Sequence, residues 1–150
     1  MKIDFLRSKE KKEIIKELNE NFGISELPYL LISSGKERIY GFSGNLSKEE
    51  ILSLSEITNV EIIGLYLFNK SRDDLRLSFD STQVLGNQIK KGILEINETQ
   101  LVSWMKGEDL EMKTPKEVFI VKYKNDFLGF AKSNGEKVLN YVPKEKRAKK

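Results

Sequence analysis

The stretch that most narrows the possible folds lies between residues 118 and 142. Three β-type runs, Val118 to Lys124, Phe127 to Ser133 and Lys137 to Val142, are separated only by Asn125-Asp126 and Asn134-Gly135. Such pairs tolerate the left-handed backbone that tight hairpin turns demand, so the runs read as a β-meander. Upstream, Ile93 to Ile96 reads as a further strand. Gln100 to Lys106 then reads as a helix ended by Gly107, and Asp109 to Met112 as extended chain.

The first half carries a different pattern. From Phe5 to about Asn21, residues Leu6, Ile14, Ile15 and Leu18 fall near one helical face, with Lys/Glu pairs four apart and Gly23 as the stop. Strands are expected at Tyr29 to Ile32 and Arg38 to Phe42, joined through Ser33-Ser34-Gly35. Ser47-Lys48-Glu49-Glu50 is a capping box opening a helix with Ile51, Leu52, Leu54 and Ile57. Glu61 to Phe68 and Leu75 to Phe79 read as strands around a turn at Ser71-Arg72-Asp73-Asp74, and a short helical or turn segment follows Ser81. Helices beside a small antiparallel sheet make this half α+β. No long flexible linker divides the halves, so they are expected to pack together.

Two missing residue types restrict the chemistry. The chain has neither cysteine nor histidine. Disulfides, thiolate zinc sites and cysteine nucleophiles are thereby excluded, and the commonest general base and metal ligand is lacking. Neither G-x-G-x-x-G nor G-x-x-x-x-G-K-[ST] occurs, so no nucleotide cofactor is expected. No run approaches the ~18 apolar residues of a membrane span, and the charged N-terminus lacks the apolar core of a signal peptide. A cytoplasmic location is the default expectation. Charge is uneven: residues 1–80 hold 12 Lys/Arg against 14 Asp/Glu, whereas residues 81–150 hold 14 against 9. A basic half beside an acidic one points to a polyanionic partner. A solvated surface with a frayed basic end is the alternative.

The glycines of the second half stand in a recurring order: Gly86-Asn87-Gln88-Ile89-Lys90-Lys91-Gly92-Ile93, then Lys106-Gly107-Glu108-Asp109, then Phe127-Leu128-Gly129-Phe130. This spacing resembles the PUA domain, the small RNA-binding barrel named after pseudouridine synthases and archaeosine transglycosylases. It departs from that pattern by Glu108, an extra residue between Gly107 and Asp109. Residues 126–147, DFLGFAKSNGEKVLNYVPKEKR, are similar to the C-terminal PUA-like tail of Sun-type RNA cytosine methyltransferases. The stretch GLYLFNKSRDDLRLSFDSTQ resembles short ribosome-biogenesis factors that carry a pre-PUA domain before a PUA domain. The resemblance implies an α+β chain: a pre-PUA-like α/β sandwich over residues 1–80, then a PUA-like RNA-binding β-barrel with a basic tail over residues 81–150.

On that basis the expected partner is structured RNA, rRNA or tRNA. The expected role is non-catalytic, in RNA maturation or modification, guiding a separate modifying enzyme or assembly factor. Contacts are expected from long cations near glycine turns and strand ends: Lys90, Lys91, Lys122, Lys124, Lys144, Lys146 and Arg147, with Asn87 and Gln88 adding hydrogen bonds. Lys149 and Lys150 extend the tail, which after Pro143 is expected to project from the barrel. If Asn125-Asp126 is a two-residue loop, Lys122 faces Gly129. That glycine either opens flat backbone to a sugar-phosphate or relieves crowding in the barrel. Trp104, with Leu101 and Met105, reads as core, as do Phe42, Phe68 and Phe79. The carboxylate pairs Glu49-Glu50 and Asp73-Asp74 read as ordinary surface. A protein-interaction module in a ribosome-assembly complex, docked through the acidic half, is the rival function. A small enzyme working through carboxylates is the third.

Overall fold

Fifteen residues, Ser8–Phe22, form helix α1 because Ile14, Leu18 and Phe22 recur on one face and are almost wholly buried. Glu10 accepts a hydrogen bond from the Arg7 N–H at its start. Gly23, at φ 82°, ends it in the left-handed conformation. The structure is a computed structural model that describes residues 3–35, 37–43, 47–57, 64–72 and 74–148.

The first sheet is antiparallel throughout and keeps chain order: β1 (Ile3–Phe5), β2 (Leu30–Ser34), β3 (Arg38–Phe42), β4 (Leu65–Ser71) and β5 (Asp74–Leu77). Its two faces are dressed separately. Leu31, Ile39, Leu67, Phe68, Leu75 and Leu77 join the core around α1. Ile32, Tyr40 and Phe42 pack instead with Ile51 of α2 (Lys48–Ile57). The capping box of α2 is formed, Glu50 N–H donating to Ser47 Oγ and Ser47 N–H to Glu50 Oε1. This is an α/β sandwich in the first half, as expected.

Several boundaries differ from the sequence reading: β2 runs on through Ser33 and Ser34, which read as turn, and the helix expected from Gln100 starts at Glu98. Strand β1 takes Phe5 from the expected helix; three residues are too few for a periodic signal. Strand β4 starts at Leu65, and residues 61–63 of the expected strand lie outside the described residues, as does Asp73 of the turn. Strand β5 stops at Leu77 because Ser78 caps a new helix, α3 (Phe79–Val84). Its hydroxyl accepts from Ser81 N–H and donates to the Tyr66 carbonyl. A boundary at residues 80 and 81 therefore runs through α3.

The second sheet has the order β6-β8-β9-β10-β7, formed from β6 (Ile93–Glu95), β7 (Leu110–Glu111), β8 (Val118–Tyr123), β9 (Asp126–Ser133) and β10 (Lys137–Asn140). It curls into a half-barrel. The meander β8-β9-β10 is present, and β6 adds to β8 in parallel. Helix α4 (Glu98–Met105) closes one side. Its Trp104 is fully buried among Val121, Ala131 and Val138, with the indole N–H donating to Leu128 O at 2.8 Å. Trp104 is thus core, as its helical spacing suggested.

The halves share one core. Ile120 and Phe130 of β8 and β9, with Leu85 and Ile89, pack in the same cluster as α1 and the first sheet. Phe22 meets the Phe130 ring edge-on at 6.4 Å. Gly92, at φ 67°, lies so close to α1 that a Cβ would sit 2.4 Å from Asn21 O and 2.8 Å from the Phe22 ring. A salt bridge ties the sheets at the surface: the Asp74 carboxylate lies 2.8 Å from Lys132 Nζ and 3.1 Å from Arg76 Nε. Asp74 is therefore a cross-sheet anchor rather than ordinary turn surface.

Candidate nucleic-acid interface

The hairpin between β8 and β9 is the first cationic site, and its register differs from the expected one. Tyr123 pairs with Asp126 and Lys122 with Phe127, so the turn is Lys124-Asn125, with Lys124 at φ 53°. Asp126 joins the ladder instead of the loop, and a bulge between Ile120 and Lys122 restores the pairing of Ile120 with Phe130. Lys122 consequently faces Phe127, not Gly129, and its Nζ stands 5.2 Å from the Phe127 ring centroid. Lys124 Nζ lies 5.4 Å from the Tyr123 ring. Gly129 is buried at φ 94°, and a Cβ there would come within 3.1 Å of the Phe79 ring. Of the two roles open to Gly129, the one realised is relief of crowding.

Asn87 joins this first site. It lies exposed in the 3-10 turn Gly86–Gln88 and, with Asn125, Asp126 and Phe127, lines a shallow hollow of about 320 Å³. Gln88 does not join it. Its Oε1 accepts from Ser25 N–H and Glu26 N–H at 3.1 and 2.9 Å, and its Nε2 donates to Glu26 O at 3.0 Å. The side chain stitches this turn to the loop after α1, which occupies the hydrogen bonds expected to reach RNA.

Lys90 and Lys91 form a second site at the end of α1. Their backbone N–H groups donate to Phe22 O, capping the helix, and both side chains point from exposed positions. Lys91 shares a hollow with Lys116, beside Glu20 and Glu117.

The tail is docked, where it was expected to project. After Pro143, residues Lys144–Lys146 make a 3-10 turn, and Ala148 N–H donates to Met105 O at 2.6 Å. Arg147 Nε donates to Val142 O at 3.0 Å. Its guanidinium fills the space over Gly107, where a Cβ would clash at 2.3 Å with that same nitrogen. The Ala148 N–H thereby meets one of the last carbonyls of α4, which lack partners within the helix. Asn140 completes the arrangement: its Nδ2 donates to Trp104 O and Glu108 O, and its N–H donates to Asp109 Oδ1. That clamp holds the turn after Gly107 through the Glu108 carbonyl and the Asp109 carboxylate. Lys144 is exposed, and Lys146 lies 3.4 Å from Asp80. Lys149 and Lys150 lie outside the described residues.

A cleft between the two sheets went unnoticed in the sequence. Tyr66 and Asn69 of β4, Arg76 of β5, and Tyr141 and Lys146 beyond β10 line about 220 Å³ of it. The cross-strand pairing of Asn69 with Arg76 could have been drawn from the turn after Ser71, but Tyr141 approaches them only through tertiary packing. Among the described residues no three His, Cys, Asp or Glu side chains gather as a metal site, and no helix is long and apolar enough to cross a membrane.

Residues 91–148 match the family model of the methyltransferase RsmF PUA domain. The match spans the whole second sheet, α4 and the docked tail, and it bears out the likeness to the Sun-type C-terminal tail. This part of the chain is similar to that PUA domain, a likeness that supports RNA binding in the context of RNA modification. No curated protein matches the chain.

Proposed function

We propose that this PUA-domain protein is a non-catalytic factor that holds structured rRNA or tRNA during its maturation and presents it to a separate modifying enzyme. The observation that carries the reading is the PUA-domain match itself, with Lys122 and Lys124 on its β8-β9 hairpin and Asn87 on the neighbouring turn. Lysines on a rigid hairpin can follow a phosphate backbone without demanding a particular base, which suits a target recognised by shape. Lys90, Lys91 and Lys116 offer a second stretch of charge at the end of α1. A chain without cysteine or histidine has few groups suited to nucleophilic or acid–base work, which favours an accessory role.

The test is titration of the full chain against a structured RNA at several salt concentrations, with incubation beside a methyl donor as the control for catalysis. Binding that weakens steeply and log-linearly with salt supports the reading. Absence of binding at low salt refutes it, and methylation of the RNA by the pure protein refutes the non-catalytic part.

A further inference from the structure

The cleft between the sheets is built differently from the lysine sites. One wall is Tyr66, Asn69 and Arg76, which precede the PUA match, and the other is Tyr141 with the docked tail. Both tyrosines are half-buried and held from behind by core aromatics. Tyr66 stacks at a tilt on buried Tyr40, and Tyr141 meets buried Phe130 edge-on, each at 5.6 Å. Each ring also carries a guanidinium, Arg38 at 5.3 Å from Tyr66 and Arg76 at 5.4 Å from Tyr141. Rings and guanidinium planes fixed in this way are the surfaces on which unpaired bases stack.

Charge and size narrow the ligand. Arg76 and Lys146 on the lining are balanced by Asp80 and Glu145, so a bare phosphate gains little there. A ligand with both donor and acceptor edges suits such a lining better. Arg76 retains unused capacity: Nε is buried 3.1 Å from Asp74 Oδ2 without a hydrogen bond, while Nη2 donates to Asn69 Oδ1 at 3.3 Å. The volume, about 220 Å³, falls short of the ~300–1,000 Å³ of sites for drug-sized molecules. It suits one planar ring system rather than a whole cofactor.

We infer that this cleft receives a single unpaired nucleobase of the bound RNA, stacked against Tyr141 and Arg76 and read at its edge by Asn69. The inference rests on the RNA-binding reading and adds to it a preference for RNA with an unpaired nucleotide beside a helix. The docked tail then acts as a wall of the site, and Lys146 can exchange Asp80 for the phosphate next to that base.

The experiment uses the full chain and two RNAs with equal numbers of phosphates: a hairpin with 2-aminopurine in its loop, and a blunt duplex with 2-aminopurine paired. The hairpin is expected to bind about tenfold more tightly, with quenching of its fluorophore. Tyr141→Leu should remove most of that preference and the quenching, and Asn69→Ala about threefold of it, while duplex affinity stays unchanged. Asn69→Ala and quenching by the unaltered protein decide the matter if Tyr141→Leu fails to fold. Equal affinity for hairpin and duplex, or a preference that survives Asn69→Ala with no quenching, overturns the cleft inference while leaving RNA binding intact. Failure to bind either RNA overturns both.

Discussion

Gly92→Ala should destabilise the whole chain, because the methyl group has nowhere to go. Two costs combine. Alanine at φ 67° adopts the left-handed conformation, at about 1–2 kcal/mol. The new Cβ would stand 2.4 Å from Asn21 O, a backbone atom of α1, and 2.8 Å from the buried Phe22 ring. Overpacking of this kind costs ~1–3 kcal/mol, and reduced freedom of the unfolded chain returns ~0.4–1 kcal/mol. The net loss is about 2–4 kcal/mol, or roughly 4–16 °C in Tm at the ~2–4 °C per kcal/mol of a chain this size. Gly35→Ala is the control. Gly35 has φ 70°, but nothing stands within 4 Å of a Cβ there, so only the backbone cost of about 1–2 kcal/mol, less the same ~0.4–1 kcal/mol return, remains. Melts followed by Trp104 fluorescence, which reports on the second sheet, and by far-UV circular dichroism should coincide. A Gly92→Ala protein that melts like Gly35→Ala would refute the close approach of α1 to β6. Two separated transitions in the unaltered protein would refute the shared core.

Three other outcomes follow from the sites. Replacing Lys122 and Lys124 with glutamate should flatten the log–log salt dependence of RNA binding by about 1–2, at up to ~0.9 per lost duplex phosphate contact; an unchanged slope in the titration would move the RNA away from the hairpin. Removing residues 143–150 should lower Tm by several degrees as well as weaken RNA binding, since it frees Met105 O and uncovers Gly107. A thermal melt unaffected by the deletion would mean that the tail is not docked. Gln88→Ala should cost about 1–3 kcal/mol in denaturant melts through the Ser25 and Glu26 N–H groups it leaves unpaired, with RNA affinity of the folded protein unchanged. Lost affinity at full stability would return Gln88 to the interface.

Local pattern carried most of the element order, and tertiary contact carried the rest. The meander, α1 with its Gly23 stop, the Ser47–Glu50 capping box and the burial of Trp104 were all legible, because each is settled by residues close in sequence. The register of the β8-β9 hairpin was not. Asn125-Asp126 and Lys124-Asn125 are both acceptable turns, and a bulge near Ile120 makes the choice from within the sheet. The fate of the tail was hidden for another reason. Lys144 to Arg147 look like solvated charge until Gly107 and the end of α4 are placed beside them. Gln88 looked like a free amide until the loop at Ser25 and Glu26 closed over it. Beyond the pairing of Asn69 with Arg76, the cleft could not be read, since Tyr66 and Tyr141 are 75 positions apart in the chain.

The placement of Phe22 against Phe130 bears on how the chain comes to be folded. During synthesis at ~5–20 residues per second, the residues between them take about 5–20 s to appear. Until then the α1 face that β8 and β9 will cover stays open to water and to chaperones. Long-range closure of this kind is slow, because loop entropy is lost before the contact forms. It also works as a check on completeness. A chain interrupted before the last hairpins lacks both the PUA-like half and the cover for its own α1, so the product without that half is also the one most open to proteolysis.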